Sequence, residues 1–219
     1  MPASYNAKNV YYLQETSRWS YIVENASSND IAIIIDTAMK DIEDDNPSLK
    51  GTLPQNLYAT LGAPASKIKS LIDEVNKIDK DRFHEEDLIG RVYEYFLQIY
   101  AASGTKDDGE FYTPVSIVKL LTELIEPYDG VVYDPCCGSG GMFVQSMKFV
   151  DEHKGNRNNI SIIGQESKPE TWQLCKMNLS IRGIAHDLGG TFASTFQNDQ
   201  HKNRKVDYIL ANPPFNLKN

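Results

Sequence analysis

The sequence predicts a parallel, doubly wound α/β sheet preceded by a mainly α-helical region. Apolar residues recur at helical spacing through most of the first hundred positions. A polar break, Ala-Ala-Ser-Gly-Thr-Lys-Asp-Asp-Gly at 101–109, follows with two glycines. Beyond it, short apolar runs alternate with helical patterns, the order in which parallel strands are joined by crossover helices. The expected division is therefore a helical region over 1–104 and a sheet domain over 105–219.

The elements follow in order. Residues 1–27 are aromatic and polar without a clear period, and no element is assigned there. Ile31, Ile34, Ile35, Ala38, Met39 and Ile42 mark a helix behind the possible caps Ser28 and Asn29, stopped by an acidic segment containing Pro47. Ile68, Leu71, Ile72, Val75 and Ile78 repeat the pattern, as do Leu88, Ile89, Val92, Phe96 and Ile99. Thr113 and Pro114 are expected as N-cap and first residue of the next helix, with Ile117, Val118, Leu120, Leu121, Leu124 and Ile125 as its buried stripe. Strands are expected at 131–133, 160–164 and 206–210, with a weaker one at 191–193. Helices are expected around Met142 to Val150 and from Pro169 to Ile181.

Composition narrows the function. With 219 residues, 41% hydrophobic and 24% charged, the chain can bury a sizeable core. It has no apolar run of the roughly 18 residues needed to span a bilayer. The first residues lack the basic and apolar regions of a signal peptide, so the expected location is the cytoplasm. Cys136, Cys137 and Cys175 match neither a disulfide framework nor a metal-binding spacing, and no metal is expected. Residues 1–110 carry 19 acidic and 11 basic side chains, and 111–219 carry 11 of each. An acidic first half repels a phosphate backbone, so a nucleic-acid partner needs cations from elsewhere.

Two motifs carry chemistry. Asp134-Pro135-Cys136-Cys137-Gly138-Ser139-Gly140-Gly141 lies where the first strand feeds a helix, the crevice that holds nucleotide-like ligands in such sheets. Gly138, Gly140 and Gly141 let backbone approach a ligand, with Gly140 the position where a larger side chain is expected to block the pocket. A dinucleotide fingerprint needs a third glycine where Phe143 stands, and Asp134 has the wrong sign for a pyrophosphate. An adenosine bearing a positively charged amino-acid end suits the acidic strand terminus, and S-adenosyl-L-methionine has that chemistry. Glu166, at the end of the second strand, is placed to accept from both ribose hydroxyls.

The second motif, Asn212-Pro213-Pro214-Phe215, follows the last strand. Two prolines stiffen the backbone and remove two N–H donors, leaving carbonyls as acceptors. The Asn212 side-chain oxygen and the Pro213 carbonyl can hold both hydrogens of an exocyclic amino group. Phe215 can stack on the planar group that bears it.

With these residues in place the chain resembles adenine-N6 DNA methyltransferases, and more narrowly the modification (M) subunit of type I restriction-modification systems. The matching segments are Gly-Glu-Phe-Tyr-Thr-Pro (109–114), Tyr-Asp-Pro-Cys-Cys-Gly-Ser-Gly-Gly-Met-Phe (133–143), Gly-Gln-Glu (164–166) and Leu-Ala-Asn-Pro-Pro-Phe-Asn (210–216). Residues 46–51 and 88–96 match as well. The resemblance implies a partial Rossmann-like S-adenosylmethionine-dependent methyltransferase sheet. It implies that Glu110, Phe111, Tyr112, Thr113 and Pro114 line the methionine end of the cofactor. Asp134, Gly138, Ser139, Gly140 and Gly141 then hold its backbone, Glu166 binds its ribose, and Asn212, Pro213, Pro214 and Phe215 receive a flipped adenine. Relatives often carry an Asp after the third strand for the cofactor adenine. Here Ser194-Thr195-Phe196 stands there, with Asn198 and Asp199 nearby.

The implied partners are double-stranded DNA reached through a complex, a specificity subunit, a restriction subunit and a second copy of the M subunit. Because the family continues beyond Phe215 and begins earlier, the chain is expected to be a piece of a longer protein, inactive alone. Two other readings remain open at this point. One is methylation of a protein glutamine amide, and the other is a non-catalytic remnant that binds cofactor or partner.

Overall fold

The computed structural model describes residues 10–78, 87–103 and 113–214. The chain divides into two compact units, Met1–Leu88 and Ile89–Asn219.

In the first unit, α1 (Trp19–Glu24), α2 (Ile31–Asp45), α3 (Leu57–Leu61) and α4 (Ala65–Asn76) surround a small core of Ala26, Ile31, Ile68 and Ile72. Two buried polar side chains tie its loops. Asp36 accepts from the N–H groups of Tyr58 and Ala59 at 3.1 and 2.8 Å, so a buried carboxylate caps the first turn of α3. Asn46 pairs with both backbone groups of Tyr12 and also donates to the Ile42 carbonyl. The expected caps of α2 do not cap it. Asp30 occupies the N-cap without a side-chain bond, and the Ser28 hydroxyl accepts from Asp30 N–H instead. α1 and α3 were not foreseen, because six and five residues are too short to display a period.

The second unit runs α5 (Leu88–Ser103), α6 (Val115–Ile125), β1 (Gly130–Asp134), α7 (Gly141–Glu152), β2 (Ile160–Gly164), α8 (Pro169–Ile181), β3 (His186–Asp187) and β4 (Tyr208–Ile209). All strand pairs are parallel, in the order β3-β2-β1-β4. β1 and β2 pair over five residues, whereas β4 pairs with β1 through only Tyr208 and Ile209. The core lies where α7 and α8 meet the sheet, with Val132, Phe143, Val150, Ile162, Cys175 and Leu179 almost fully buried.

Several expectations need correction here. Pro114, not Thr113, is the N-cap of α6, since its extended backbone (ψ 133°) leaves Val115 as the first helical residue. In α6, Val118 and Thr122 are buried, while Ile117, Leu120 and Leu124 are exposed. In α5, Gly90 and Leu97 are buried, whereas Ile89, Phe96 and Ile99 face outward. Periodicity found both helices but drew the buried stripe too wide: in α6 Val118, Leu121 and Ile125 do pack against the core, while the other apolar side is exposed. The third strand is His186–Asp187 rather than 191–193, which forms a loop. Pairing with Ile162 and Ile163 makes it a strand, and no local propensity announces that contact.

Candidate active site

β1 ends in Asp134 and the chain turns through 135–140 into α7. Gly140 has φ of 83°, left-handed backbone that glycine adopts without strain, and its N–H donates to the Cys137 carbonyl at 2.8 Å. Neighbouring elements hold this turn. Cys137 N–H donates to the Gln165 carbonyl at 3.0 Å, Gly138 N–H to a Glu166 carboxylate oxygen at 3.0 Å, and Asn178 Nδ2 to the Ser139 carbonyl at 2.7 Å. Asn178 and Gln165 were not singled out from the sequence. A polar residue on the inward face of α8 was the available signal for Asn178.

The turn borders a solvent-open cleft, about 310 Å³ with its open solvent included, lined by Thr113, Asp134, Cys136, Cys137, Gly138, Ser139, Gly141, Met142 and Asn212. A second hollow of about 300 Å³, which includes Glu94, Gln145 and Asn178, shares Thr113, Ser139 and Gly141 with it. Thus Thr113 before α6, the turn after β1 and Asn212 after β4 come together, although 99 positions separate Thr113 from Asn212. Asn212 Nδ2 donates to the Thr113 hydroxyl oxygen at 3.0 Å. Pro114 caps α6, and Pro213 and Pro214 follow Asn212 as exposed residues. Glu110, Phe111, Tyr112 and Phe215 lie outside the described residues.

The electrostatics are those of a buried acidic pocket. Asp134 accepts from Cys136 N–H at 2.9 Å. Burial, chiefly, pushes its carboxyl up to about 7. Bonds from Cys136 oppose the shift and the Glu166 charge adds to it. The Cys136 thiol is pushed up to about 12, first by burial and then by the Asp134 charge, so it stays protonated at neutral pH. Cys137 and Cys175 are buried with their sulfurs 3.7 Å apart, and their mutual hydrogen bond is the main cause raising the Cys137 pKa.

Glu166 does not line the main cavity. One oxygen takes Gly138 N–H, and the other takes Ser167 N–H at 2.6 Å and Lys168 N–H at 2.9 Å. A carboxylate offers about four acceptor positions, so the oxygen facing Gly138 keeps capacity for a hydroxyl. Of the residues near the third strand, Thr195 donates to the Pro135 carbonyl at 2.6 Å, Asp199 accepts from His201 N–H, and Phe196 is fully exposed.

The glycines divide by role. A Cβ built on Gly140 would lie 2.9 Å from Cys175 Sγ, behind the turn, whereas one on Gly141 meets nothing within 4 Å. Gly141 faces the open cavity, so it is the position where a side chain fills the pocket. Gly140 fails instead through strain and a clash with α8.

The described residues contain no cluster of three or more metal-ligating side chains, and no described helix is long and apolar enough to cross a membrane.

Comparison with known proteins gives the family. Residues 84–219 match N-6 DNA Methylase, and residues 2–75 match the HsdM N-terminal domain. The chain is 42% identical over 195 residues to the type I restriction enzyme HindI methylase subunit of Haemophilus influenzae, covering 86% of this chain and 44% of that protein. It is 37% identical over 214 residues to the MjaIX methylase subunit of Methanocaldococcus jannaschii, covering 97% and 38%. The chain therefore spans less than half the length of these relatives. Among solved structures, the type I restriction-modification methyltransferase subunit from Streptococcus thermophilus superposes with a TM-score of 0.76 at 22% identity, over 97% of this chain and 47% of that one. A putative class I S-adenosylmethionine-dependent methyltransferase from Listeria monocytogenes gives 0.55 at 12% identity, over 90% and 58%. These likenesses confirm the methyltransferase type of sheet. By the match over its second unit, this chain belongs to the N-6 DNA methylase family.

Proposed function

We propose that this chain is part of the modification subunit of a type I restriction-modification system, which transfers a methyl group from S-adenosyl-L-methionine to N6 of an adenine flipped out of DNA. The observation that carries this reading is the meeting of Asn212 with the glycine turn in one cavity. The residues present fit the cofactor. Gly141 leaves open space, the turn brings backbone close, and the buried Asp134 carboxyl is relieved by a cationic ligand. Asp134, Gly138, Ser139 and Gly141 would hold its methionine and ribose backbone, with Gly140 shaping the turn behind them. Glu166 would hold a ribose hydroxyl, and the segment from Glu110 to Pro114 the methionine end, with Thr113 contributing backbone and methyl there while its hydroxyl is taken by Asn212.

When bound, the cofactor supplies an electrophilic methyl on a positively charged sulfur. The chain's own residues supply position. Asn212 Oδ1 and the Pro213 carbonyl accept the two N6 hydrogens, which withdraws the lone pair from the purine ring and turns it outward. Pro214 keeps the backbone rigid and Phe215 stacks on the base. Fixing both reactants is the main source of rate in such a site.

DNA is reached through the assembly. The acidic excess lies in residues 1–110, so a specificity subunit supplies both cations and base reading, with a restriction subunit and a second modification subunit completing a cytoplasmic complex. The family match is to DNA methylases, and neither the glutamine-amide reading nor the non-catalytic remnant finds support in it. The test is to incubate the complete methylase with unmethylated genomic DNA and labelled S-adenosylmethionine. N6-methyladenine is the expected product, and label in protein or in another base would overturn the proposal.

A further inference from the structure

The side-chain amide of Asn212 has two ends of nearly equal size and opposite hydrogen-bonding sense, and the torsion that exchanges them is broad and roughly two-fold. Only one orientation can accept from an amino group. In the other, NH2 faces NH2 and the contact is repulsive. Pro213 and Pro214 have no N–H with which to fix the amide locally. Among the described residues, the side-chain partner recorded for Asn212 is Thr113, whose hydroxyl oxygen lies 3.0 Å from Nδ2. Thr113 is itself well held. It precedes Pro114, which restricts it to extended backbone, and Pro114 is the N-cap of α6.

We propose that Thr113 is a positioning residue for methyl transfer: its hydroxyl oxygen, accepting from Asn212 Nδ2, anchors one end of the amide so that Oδ1 faces the adenine amino group, and the repulsion of NH2 against NH2 disfavours the flipped amide to which the hydroxyl could instead donate. This rests on the adenine-N6 reading above and assigns the Thr113 hydroxyl to the acceptor side of the site rather than to the cofactor. The bond also links the segment before α6 to the end of β4, so the cofactor wall and the acceptor amide are set together.

The test uses Thr113→Val, which keeps the shape and removes the hydroxyl, and Thr113→Ser, which restores it, both in the complete methylase. Three readouts are taken: kcat for N6-methyladenine formation on unmethylated genomic DNA, the Kd of S-adenosylmethionine by calorimetry, and the thermal midpoint. Thr113→Val is expected to lower kcat by about 10- to 100-fold, with Kd within about twofold of wild type and the midpoint unchanged; Thr113→Ser recovers kcat to within about threefold. Wild-type kcat in the valine variant overturns the proposal. So does a loss matched by weaker cofactor binding, or a folded serine variant that stays as slow as valine. A wild-type assembly that makes no N6-methyladenine overturns the functional reading itself, and this inference with it.

Discussion

The turn after β1 and the end of β4 lie on the same cavity but are held very differently. The turn is buried and bonded from three sides, by the Gln165 carbonyl, the Glu166 carboxylate and Asn178. The β4 end follows Tyr208 and Ile209, which pair with β1, and among the described residues the side-chain amide of Asn212 bonds the Thr113 hydroxyl. The turn is thus fixed by its immediate neighbours in the sheet and α8, whereas the Asn212 amide meets, among the described residues, a side chain from the segment before α6.

The largest expected effect separates the two sides. Asn212→Ala should lower methyl transfer by at least about 100-fold, as loss of an aligned hydrogen-bonding group does elsewhere, while leaving the turn intact. Product formation by the complete methylase, read as N6-methyladenine, checks it.

Next come the two glycines within the turn. Gly141→Val should abolish cofactor binding with little change in stability, because its side chain enters open space. Gly140→Val should lower stability by about 1–3 kcal/mol or more, because it combines positive φ with a Cβ 2.9 Å from Cys175 Sγ. Denaturant unfolding beside cofactor titration distinguishes them, and equal behaviour of the two variants breaks the comparison.

A smaller effect concerns pH. The Asp134 carboxyl is raised from 3.8 to about 7 in the fold, so the folded chain keeps a proton that the unfolded chain releases. Its contribution to stability is most favourable below about pH 4, declines as pH rises toward 7, and is level above. Asp134→Asn should remove that slope, seen as a smaller difference between urea midpoints at pH 5 and pH 8. A cationic ligand favours the ionised form, so cofactor binding near pH 7 should release protons, measurable by calorimetry in buffers of different ionisation heat.

The smallest effect tests the β4 side. The Asp207 carboxylate accepts from Val131 N–H at 2.8 Å, and Asp207→Ala should cost about 1 kcal/mol.

Much of this was legible in the sequence because the signals were local. β2 falls on the expected residues, and a single amphipathic face defines α2 and α4. The glycine turn and the Asn-Pro-Pro segment sit at strand ends, as their composition required. What escaped depends on long-range contact. The face of α5 is chosen partly by Tyr93, whose hydroxyl donates to the Leu174 carbonyl at 3.0 Å, and by the Glu94–Arg182 ion pair at 3.0 Å. Neither is visible from hydrophobic spacing. Nor does motif reading tell Gly140 from Gly141, since only the position of α8 decides which Cβ meets an obstacle. The expected ribose contact at Glu166 took no account of the N–H groups that the carboxylate already serves.

The most direct test is calorimetry of S-adenosylmethionine binding to the wild-type chain, Gly141→Val and Asn212→Ala. The account predicts that wild type and Asn212→Ala bind with the same affinity and that Gly141→Val does not bind. Absence of binding by folded wild-type chain, or loss of binding in Asn212→Ala equal to that in Gly141→Val, would contradict the separation of the cofactor turn from the acceptor amide.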